Sequence, residues 1–441
     1  MEYGEGSRRV LLHPAAPRWL VVNASGYAFS TALLQGSSPE DVAADVCRKY
    51  GIARDEGLRD VLRVRDALEA SKFFLPGAPT PRERTPEPRS LFLHLTHRCN
   101  LSCRHCYVGG ASTGRADLPV EKVMDLLRRL TALGGRFVTL SGGEPLLHPD
   151  IEKIMACARP ALEIRLLTNG TLIDRERALL LKDHDARVQV SLDGSIPAVH
   201  DAIRGAGSFD PAVRGIEQLR KAGLGERINI ATTVMRQNLD DLPSIIALAE
   251  GMGVPLVRFL PLRKRGTAVR CWGEIGEGLS GREIEEFYDF AVHRGWGGSA
   301  RTEVSCGLSG FVPAMPEEAD DDIWCPVGRQ LVVDVDGGAY PCAAMMTPEL
   351  RLGSVFAESV EELFTCAAMK AVCRALTERR RKIDGCAACV WRNLCQSGCM
   401  ALALEHRGTI WDVDDFCAYR KKLYKEAFDR ILALEEESPP G

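Results

Sequence analysis

Cys99, Cys103 and Cys106 fall in the pattern Cys-x3-Cys-x2-Cys within one short stretch. Thiolates are the ordinary ligands of iron–sulfur clusters, and a four-iron cluster needs four of them. Three leave one iron open, and an open coordination position marks a metal that takes part in chemistry. A zinc site completed by His97 or His105 is the bland alternative. A second array follows: Cys325-x11-Gly337-x4-Cys342, then Cys386-x2-Cys389-x5-Cys395-x3-Cys399, then Cys417. Cysteines at such short intervals read as metal ligands, with two zinc-ribbon sites as the competing assignment. A disulfide framework suits small secreted domains, and this chain has 441 residues and no signal-peptide core.

Strand and helix patterns alternate around the first cysteine group. Strands are expected at Leu91–Leu95, Phe137–Ser141, Glu163–Thr168, Arg187–Leu192, Ile228–Val234 and Pro255–Leu260. Helices are expected between them at Val120–Leu133, Ile151–Ala158, Arg175–Lys182, Pro211–Ala222 and Leu239–Met252, with Arg282–Arg294 after the last strand. Such alternation predicts an α/β fold, a parallel sheet covered by helices in a partial (β/α)6 TIM-type barrel. Chemistry in barrels sits where strands end and loops begin. The cysteine group follows the first strand. Ser141-Gly142-Gly143-Glu144-Pro145 ends the second, Thr168-Asn169-Gly170 the third and Ser191-Leu192-Asp193-Gly194 the fourth. Each alone is a common turn; together they line one end of a barrel.

These motifs resemble those of the radical S-adenosylmethionine superfamily, over about residues 90–295. The resemblance implies a [4Fe-4S] cluster on Cys99, Cys103 and Cys106 whose open iron chelates the methionine end of S-adenosylmethionine. It implies that Gly142, Gly143 and Glu144 hold the methionine amine, that Ser191 and Asp193 face the ribose with Asn169 nearby, and that Arg204 meets the carboxylate. The implied reaction is reductive cleavage to a 5′-deoxyadenosyl radical that takes a hydrogen atom from the substrate. The second array is similar to the SPASM domain, which carries two auxiliary [4Fe-4S] clusters. By that likeness Cys386, Cys389, Cys395 and Cys417 hold one, and Cys325, Cys342 and Cys399 the other, with Cys306 as its candidate fourth ligand. Cys47, Cys157, Cys366 and Cys373 sit in helical patterns and are expected as buried apolar residues. Cys271 is expected in a loop after the sixth strand, as a weak catalytic candidate.

The first 76 residues read as a separate module: strands at Val10–His13 and Trp19–Asn23, then helices near Tyr27–Leu34, from after Ser38-Pro39-Glu40 to Tyr50, and at Leu58–Ala70. The order is winged-helix-like. Ten basic and ten acidic residues leave it neutral, without the charge that phosphate binding needs. Its Pro17–Asn23, Gly26 and Ser38–Ala43 segments resemble the peptide-recognition element of ribosomal-peptide maturases and the small chaperone of pyrroloquinoline quinone biosynthesis. That likeness implies a leader peptide as partner, captured as an added strand.

The expected organisation is a recognition domain at 1–76, a linker at 77–89, the barrel at 90–300, the SPASM domain at 301–434 and a disordered tail at 435–441. Net charge is -4 and no apolar run reaches membrane-spanning length, which argues against nucleic acid and membrane and for a cytoplasmic enzyme. The expected function is maturation of a ribosomally made peptide by an oxidative crosslink, thioether or carbon–carbon, with an electron donor such as flavodoxin or ferredoxin. The alternatives are a maturase of sulfatase-maturase type, a peptide epimerase, and a non-catalytic electron-transfer protein.

Overall fold

Glu2–Tyr3 (β1), Arg8–Leu12 (β2) and Trp19–Asn23 (β3) pair antiparallel in the order β1-β2-β3. The helices Ala24–Leu34 (α1), Pro39–Tyr50 (α2) and Arg54–Ala70 (α3) follow. Helix α2 starts where the sequence says it should: the Ser38 hydroxyl accepts the Asp41 N–H at 3.1 Å and Pro39 fills the first turn. In this computed structural model residues 2–4, 8–13, 16, 18–74, 84–109, 117–275, 281–296, 302–306 and 325–436 are described. Residues 77–83 of the expected linker and 437–441 of the expected tail lie outside them.

Two compact units emerge. One takes in Met1–Glu83, Ser309–Cys325 and Ala375–Gly441, the other Arg84–Leu308 and Pro326–Arg374. In the first, the strands bury both faces. Leu11 and Val22 pack with Phe29, Leu33, Val61 and Leu68 of the helices. Val10, Leu12 and Trp19, on the opposite face by the two-residue alternation of a strand, pack with Trp391, Leu394, Tyr424 and Phe428. This explains the unbroken apolar run Val10-Leu11-Leu12, which a sheet with one solvated face would interrupt.

The second unit holds a ten-stranded sheet. Six parallel strands form its centre: Ser90–Thr96 (β4), Phe137–Gly142 (β5), Glu163–Thr168 (β6), Arg187–Ser191 (β7), Ile228–Val234 (β8) and Leu256–Pro261 (β9). The helices Val120–Ala132 (α4), Ile151–Ala158 (α5), Arg175–Asp183 (α6), Pro197–Arg204 (α7), Phe209–Lys221 (α8) and Leu242–Gly251 (α9) connect them, and Thr267–Ile275 (α10) and Gly281–Trp296 (α11) follow. This is the expected partial barrel, with more strands than expected. Glu303–Cys306 (β10) adds parallel to β9, and Gln330–Val333 (β11) adds parallel to β4 on the far flank. Gly338–Tyr340 (β12) and Gly353–Ser354 (β13) continue it antiparallel. One sheet face is apolar: Leu91, Leu93, Val138, Leu140, Ile164, Leu166, Leu331 and Val333 are all buried and side by side. The inner face carries Phe92, His94, Thr139 and Ser141 in matching register.

The remaining helices are Val360–Thr365 (α12), Ala367–Lys382 (α13), Asp384–Ala387 (α14), Arg392–Cys395 (α15), Met400–Arg407 (α16) and Cys417–Glu436 (α17). Among the described residues no helix is long and apolar enough to cross a membrane.

Candidate active site

The loop after β4 presents Cys99, Cys103 and Cys106 as free thiols. Its backbone is tied down at several points. Arg98 makes a two-point contact with Asp117, at 3.0 and 2.7 Å, and donates to the Leu147 carbonyl at 2.7 Å. Gly143 N–H donates to the Thr96 carbonyl at 2.6 Å and Glu144 N–H to that of Arg98 at 2.8 Å. A Cβ at Gly142 would stand 2.3 Å from the Thr96 oxygen, and one at Gly143 2.3 Å from the Arg98 oxygen. The two glycines are therefore required by close packing of β5 on this loop.

The other strand-end groups converge on the same end. Glu144 is fully buried; its carboxylate accepts from the Thr168 hydroxyl at 2.8 Å, Asn169 N–H at 2.8 Å and Leu146 N–H at 3.2 Å. Burial pushes its carboxyl up. The Asn169 amide donates to Asn100 at 2.9 Å and reaches Cys99 Sγ at 3.9 Å. Ser191 ends β7 half-buried. Asp193 is fully buried and is bound by Arg204 Nε at 2.6 Å and Thr233 N–H at 2.8 Å, with His105 Nε2 at 3.3 Å. Burial opposes its charge, but Arg204 and His105 beside it hold the carboxyl below its usual range. Arg204 also reaches Cys103 Sγ at 4.0 Å. Asp193 thus positions Arg204 against the thiol group.

The donor set fits an iron–sulfur cluster. Burial pushes the Cys103 thiol up to about 12 and raises Cys99 as well, so an isolated thiolate is costly here and a bound metal would supply the charge that holds it deprotonated. Leu101 N–H donates to Cys99 Sγ at 3.4 Å, the kind of N–H···S contact that tunes cluster sulfurs. The zinc alternative needed His97 or His105. Both imidazoles are engaged elsewhere, His97 Nε2 with Asp334 at 2.7 Å and His105 with Asp193. His105 is engaged through Nε2 alone; its Nδ1 is buried with no hydrogen-bond partner among the described residues.

Helix α10 closes the loop from the other side. Thr267 N–H donates to the Cys106 carbonyl at 2.9 Å. Gly266 has φ +57°, and a Cβ there would meet the Cys106 oxygen at 2.3 Å and Tyr107 backbone at 2.7 Å. Arg265 next to it donates to the carbonyls of Ala343, at 3.3 Å, and Met346, beside Cys342. The expectation for Cys271 needs correction: it lies on α10 and not in a loop, half-buried beside Ile203, Met235 and Leu262. Three spare cysteines expected to be buried, Cys47, Cys157 and Cys366, are half-buried, and Cys366 caps the end of α12; Cys373 alone of that group is buried. Their neighbours lie along helix surfaces where one flank stays open to water.

The sequence reading missed a polar group on the inner face. His94 Nδ1 and His97 Nε2 lie 3.0 and 2.7 Å from Asp334 Oδ1, and Tyr107 Oη lies 3.1 Å from His94 Nε2. Burial opposes the Asp334 charge, but the two imidazoles overcome it and hold the carboxyl well below the usual range. The His94-x2-His97 spacing was the available signal; its partner lies 237 positions beyond His97, and no local pattern joins them.

In the first unit, Cys386, Cys389, Cys395 and Cys417 line one cavity together with Arg420 and Tyr424. Arg420 Nε donates to Cys395 Sγ at 3.2 Å. Burial pushes the Cys386 and Cys417 thiols up. Four thiols around one cavity is the donor set of a closed cluster site. Cys399 stands at the N-cap position of α16, and its backbone N–H donates to the Asp414 carboxylate at 2.6 Å. In the second unit, Cys342 Sγ accepts the Ala344 N–H at 3.4 Å. Cys306 ends β10 in register with Phe259; its side chain lies outside the described set, as do residues 307–324.

The Radical SAM superfamily profile matches residues 93–249, the SPASM iron-sulfur cluster-binding domain 325–390, and coenzyme PQQ synthesis protein D 8–73. Mycofactocin maturase MftC of Mycobacterium ulcerans is 30% identical over 71% of this chain and 83% of its own length. An AdoMet-dependent heme synthase of Methanosarcina barkeri is 28% identical over 76% of this chain and 98% of its own. Among solved structures, anSMEcpe with bound AdoMet superposes with a TM-score of 0.63 at 21% identity, covering 79% of this chain and 99% of that one. Streptococcus suis SuiB bound to its precursor peptide SuiA gives 0.61 at 14% identity, covering 94% and 99%.

Proposed function

The chain belongs to the radical SAM superfamily and carries its SPASM extension, and on that premise we propose that it is a maturase of a ribosomally made precursor peptide that installs an oxidative crosslink, thioether or carbon–carbon. The observation that carries this reading is the N-terminal module. It is of the type found in coenzyme PQQ synthesis protein D. Strand β3 lies at the edge of its sheet, paired on one side only among the described residues, and an edge strand takes up an extended peptide through main-chain hydrogen bonds. Mycofactocin maturase is a maturase by name, and SuiB has been crystallised with a precursor peptide; both support the same reading. The heme synthase relative points to a different substrate, and the recognition module favours peptide over porphyrin.

With its cluster and S-adenosylmethionine bound, the site supplies a 5′-deoxyadenosyl radical for hydrogen abstraction. The chain's own residues do the rest. Cys99, Cys103 and Cys106 ligate the cluster. Glu144 and Asn169 fix the ends of β5 and β6 around the methionine end of the cofactor. Ser191 offers its hydroxyl to the ribose. Asp193 locks Arg204 in place, so that its guanidinium stands beside Cys103 to meet the cofactor carboxylate. Cys386, Cys389, Cys395 and Cys417 hold one auxiliary cluster and Cys325, Cys342 and Cys399, with Cys306, the other. Closing a new bond from a substrate radical would release one electron and one proton, and auxiliary clusters held by these cysteines would supply a place for the electron. An external one-electron donor of the flavodoxin or ferredoxin type completes the cycle, and the reading places the enzyme in the cytoplasm, where thiols stay reduced.

The test is anaerobic turnover of the cluster-loaded enzyme with S-adenosylmethionine, reductant and the short peptide encoded beside its gene. A peptide that loses hydrogen mass while 5′-deoxyadenosine accumulates supports the proposal. The same core segment without its leader is expected to react at least tenfold more slowly, because tethering sets its local concentration. 5′-Deoxyadenosine without any change in peptide mass or deuterium content overturns the peptide assignment.

A further inference from the structure

We propose that His94, His97 and Asp334 form a mononuclear site for a divalent transition-metal ion, of the zinc or ferrous class, on the inner face of the barrel. Register puts them together. Val333 of β11 pairs with Leu93 of β4, so Asp334 stands level with His94 on the neighbouring strand. Leu91, Leu93 and Leu95 are buried on the helix side, which turns His94 inward by alternation. His97, one turn of loop further on, folds back to the same carboxylate. One donor atom from each residue lies within 4.8 Å of the other two. The His94 Nδ1–Asp334 Oδ1 and His97 Nε2–Asp334 Oδ1 separations, 3.0 and 2.7 Å, are hydrogen-bond distances; tetrahedral ligands about 2.1 Å from an ion stand about 3.4 Å apart, so seating the ion replaces these two bonds and asks each donor to draw back by less than about 1 Å.

Two imidazoles and one carboxylate suit zinc or ferrous iron better than magnesium or calcium. The group is well enclosed: the His94 side chain is 1% exposed, His97 12% and Asp334 21%. The surroundings match a metal site in a further respect. A ligating histidine donates its other ring N–H to a polar neighbour, and His94 Nε2 faces Tyr107 Oη at 3.1 Å. Three protein ligands leave a position free. Water or another oxygen donor completes the shell. None of its three ligands is a thiol, so its donor set is distinct from those of the cysteine groups.

The experiment uses the full-length enzyme with its clusters fully rebuilt and its iron quantified. It is equilibrated anaerobically with Zn2+, desalted, and measured for zinc and iron together by mass spectrometry. One zinc per chain is expected, with binding at least tenfold weaker in Asp334→Asn and His94→Gln at unchanged iron content. Zinc X-ray absorption of the wild type is expected to show only nitrogen and oxygen neighbours at about 2.0–2.1 Å, with imidazole scattering. No retained zinc, equal retention in Asp334→Asn, or sulfur neighbours at about 2.3 Å, the mark of stray thiols, each overturns the proposal. The absorption measurement needs no variant, so it decides the matter even if a substitution prevents folding.

Discussion

Replacing Gly266 with alanine tests whether α10 holds the cysteine loop in its working position. The glycine has φ +57°, and an added Cβ would sit 2.3 Å from the Cys106 carbonyl oxygen and 2.7 Å from Tyr107 backbone atoms. Ordinary contact needs about 1 Å more, and every atom in the way is main chain, so no side chain can swing aside. The left-handed backbone itself costs an alanine roughly 1–2 kcal/mol. Moving α10 back breaks the Thr267 N–H bond to the Cys106 carbonyl, 2.9 Å long, worth about 1 kcal/mol. The combined penalty, roughly 2–3 kcal/mol, falls directly on the loop that carries Cys103 and Cys106. Reductive cleavage of S-adenosylmethionine, read as 5′-deoxyadenosine formed without peptide, is expected to drop at least tenfold, with reduced iron at the loop cluster. Gly51→Ala is the matched control, since Gly51 also has a positive φ, +69°, and a Cβ there meets nothing within 4 Å. Wild-type cleavage and full iron in Gly266→Ala would refute the argument.

Asp193→Asn and Arg204→Met should each destabilise the protein by about 3–5 kcal/mol, because each leaves the other charge buried alone; the double variant should recover part of that in denaturant unfolding. Burial, reinforced by Arg204, holds His200 down at about 4, against 6.5 in the unfolded chain. Its neutral form therefore favours folding above pH about 6.5, and that contribution fades as pH falls toward about 4. Between pH about 7 and 5.5 the loss is about 1 kcal/mol, and unfolding of His200→Asn should show a correspondingly flatter pH dependence. Trp391 stacks on Phe428 with ring centres 5.4 Å apart and touches Tyr3 and Tyr424. Trp391→Ala should cost about 3–5 kcal/mol and lower the iron held by the neighbouring four-cysteine cavity, measured after desalting.

The six central strands and the N-terminal helices were legible because they are long enough to show periodicity and carry clear stops such as Ser38-Pro39. Strands β10 to β13 were not. They run from two to four residues, too short for any alternation to stand out. Helix α10 was invisible for another reason: its sequence Thr-Ala-Val-Arg-Cys-Trp-Gly-Glu-Ile carries a glycine and mixed polarity, and its helicity is secured by docking. At the site, the cysteine spacings announced themselves because one loop supplies three ligands. Asp193 was read as facing the ribose; its bonds to Arg204, at 2.6 Å, and Thr233 N–H, at 2.8 Å, join separate elements, and no local pattern displays them. The His94–His97–Asp334 group depends on β11 joining β4, a pairing between distant segments that no local pattern encodes.

The aromatic layer shared by Val10, Leu12 and Trp19 with Trp391, Leu394 and Phe428 bears on how such proteins can be recombined. A recognition module joined by a string could be exchanged between enzymes like a bead. This one is glued by its sheet to the wall of a cysteine cavity built from the opposite end of the chain. Excising residues 1–73 would strip the cover from Trp391 and Phe428 and wet the cavity wall, so a dead truncation would say as much about cluster upkeep as about leader capture. A working chimera with a foreign module would have to bring a matching Trp391–Phe428 face with it, and sequence change on either side of this layer is answerable to the other.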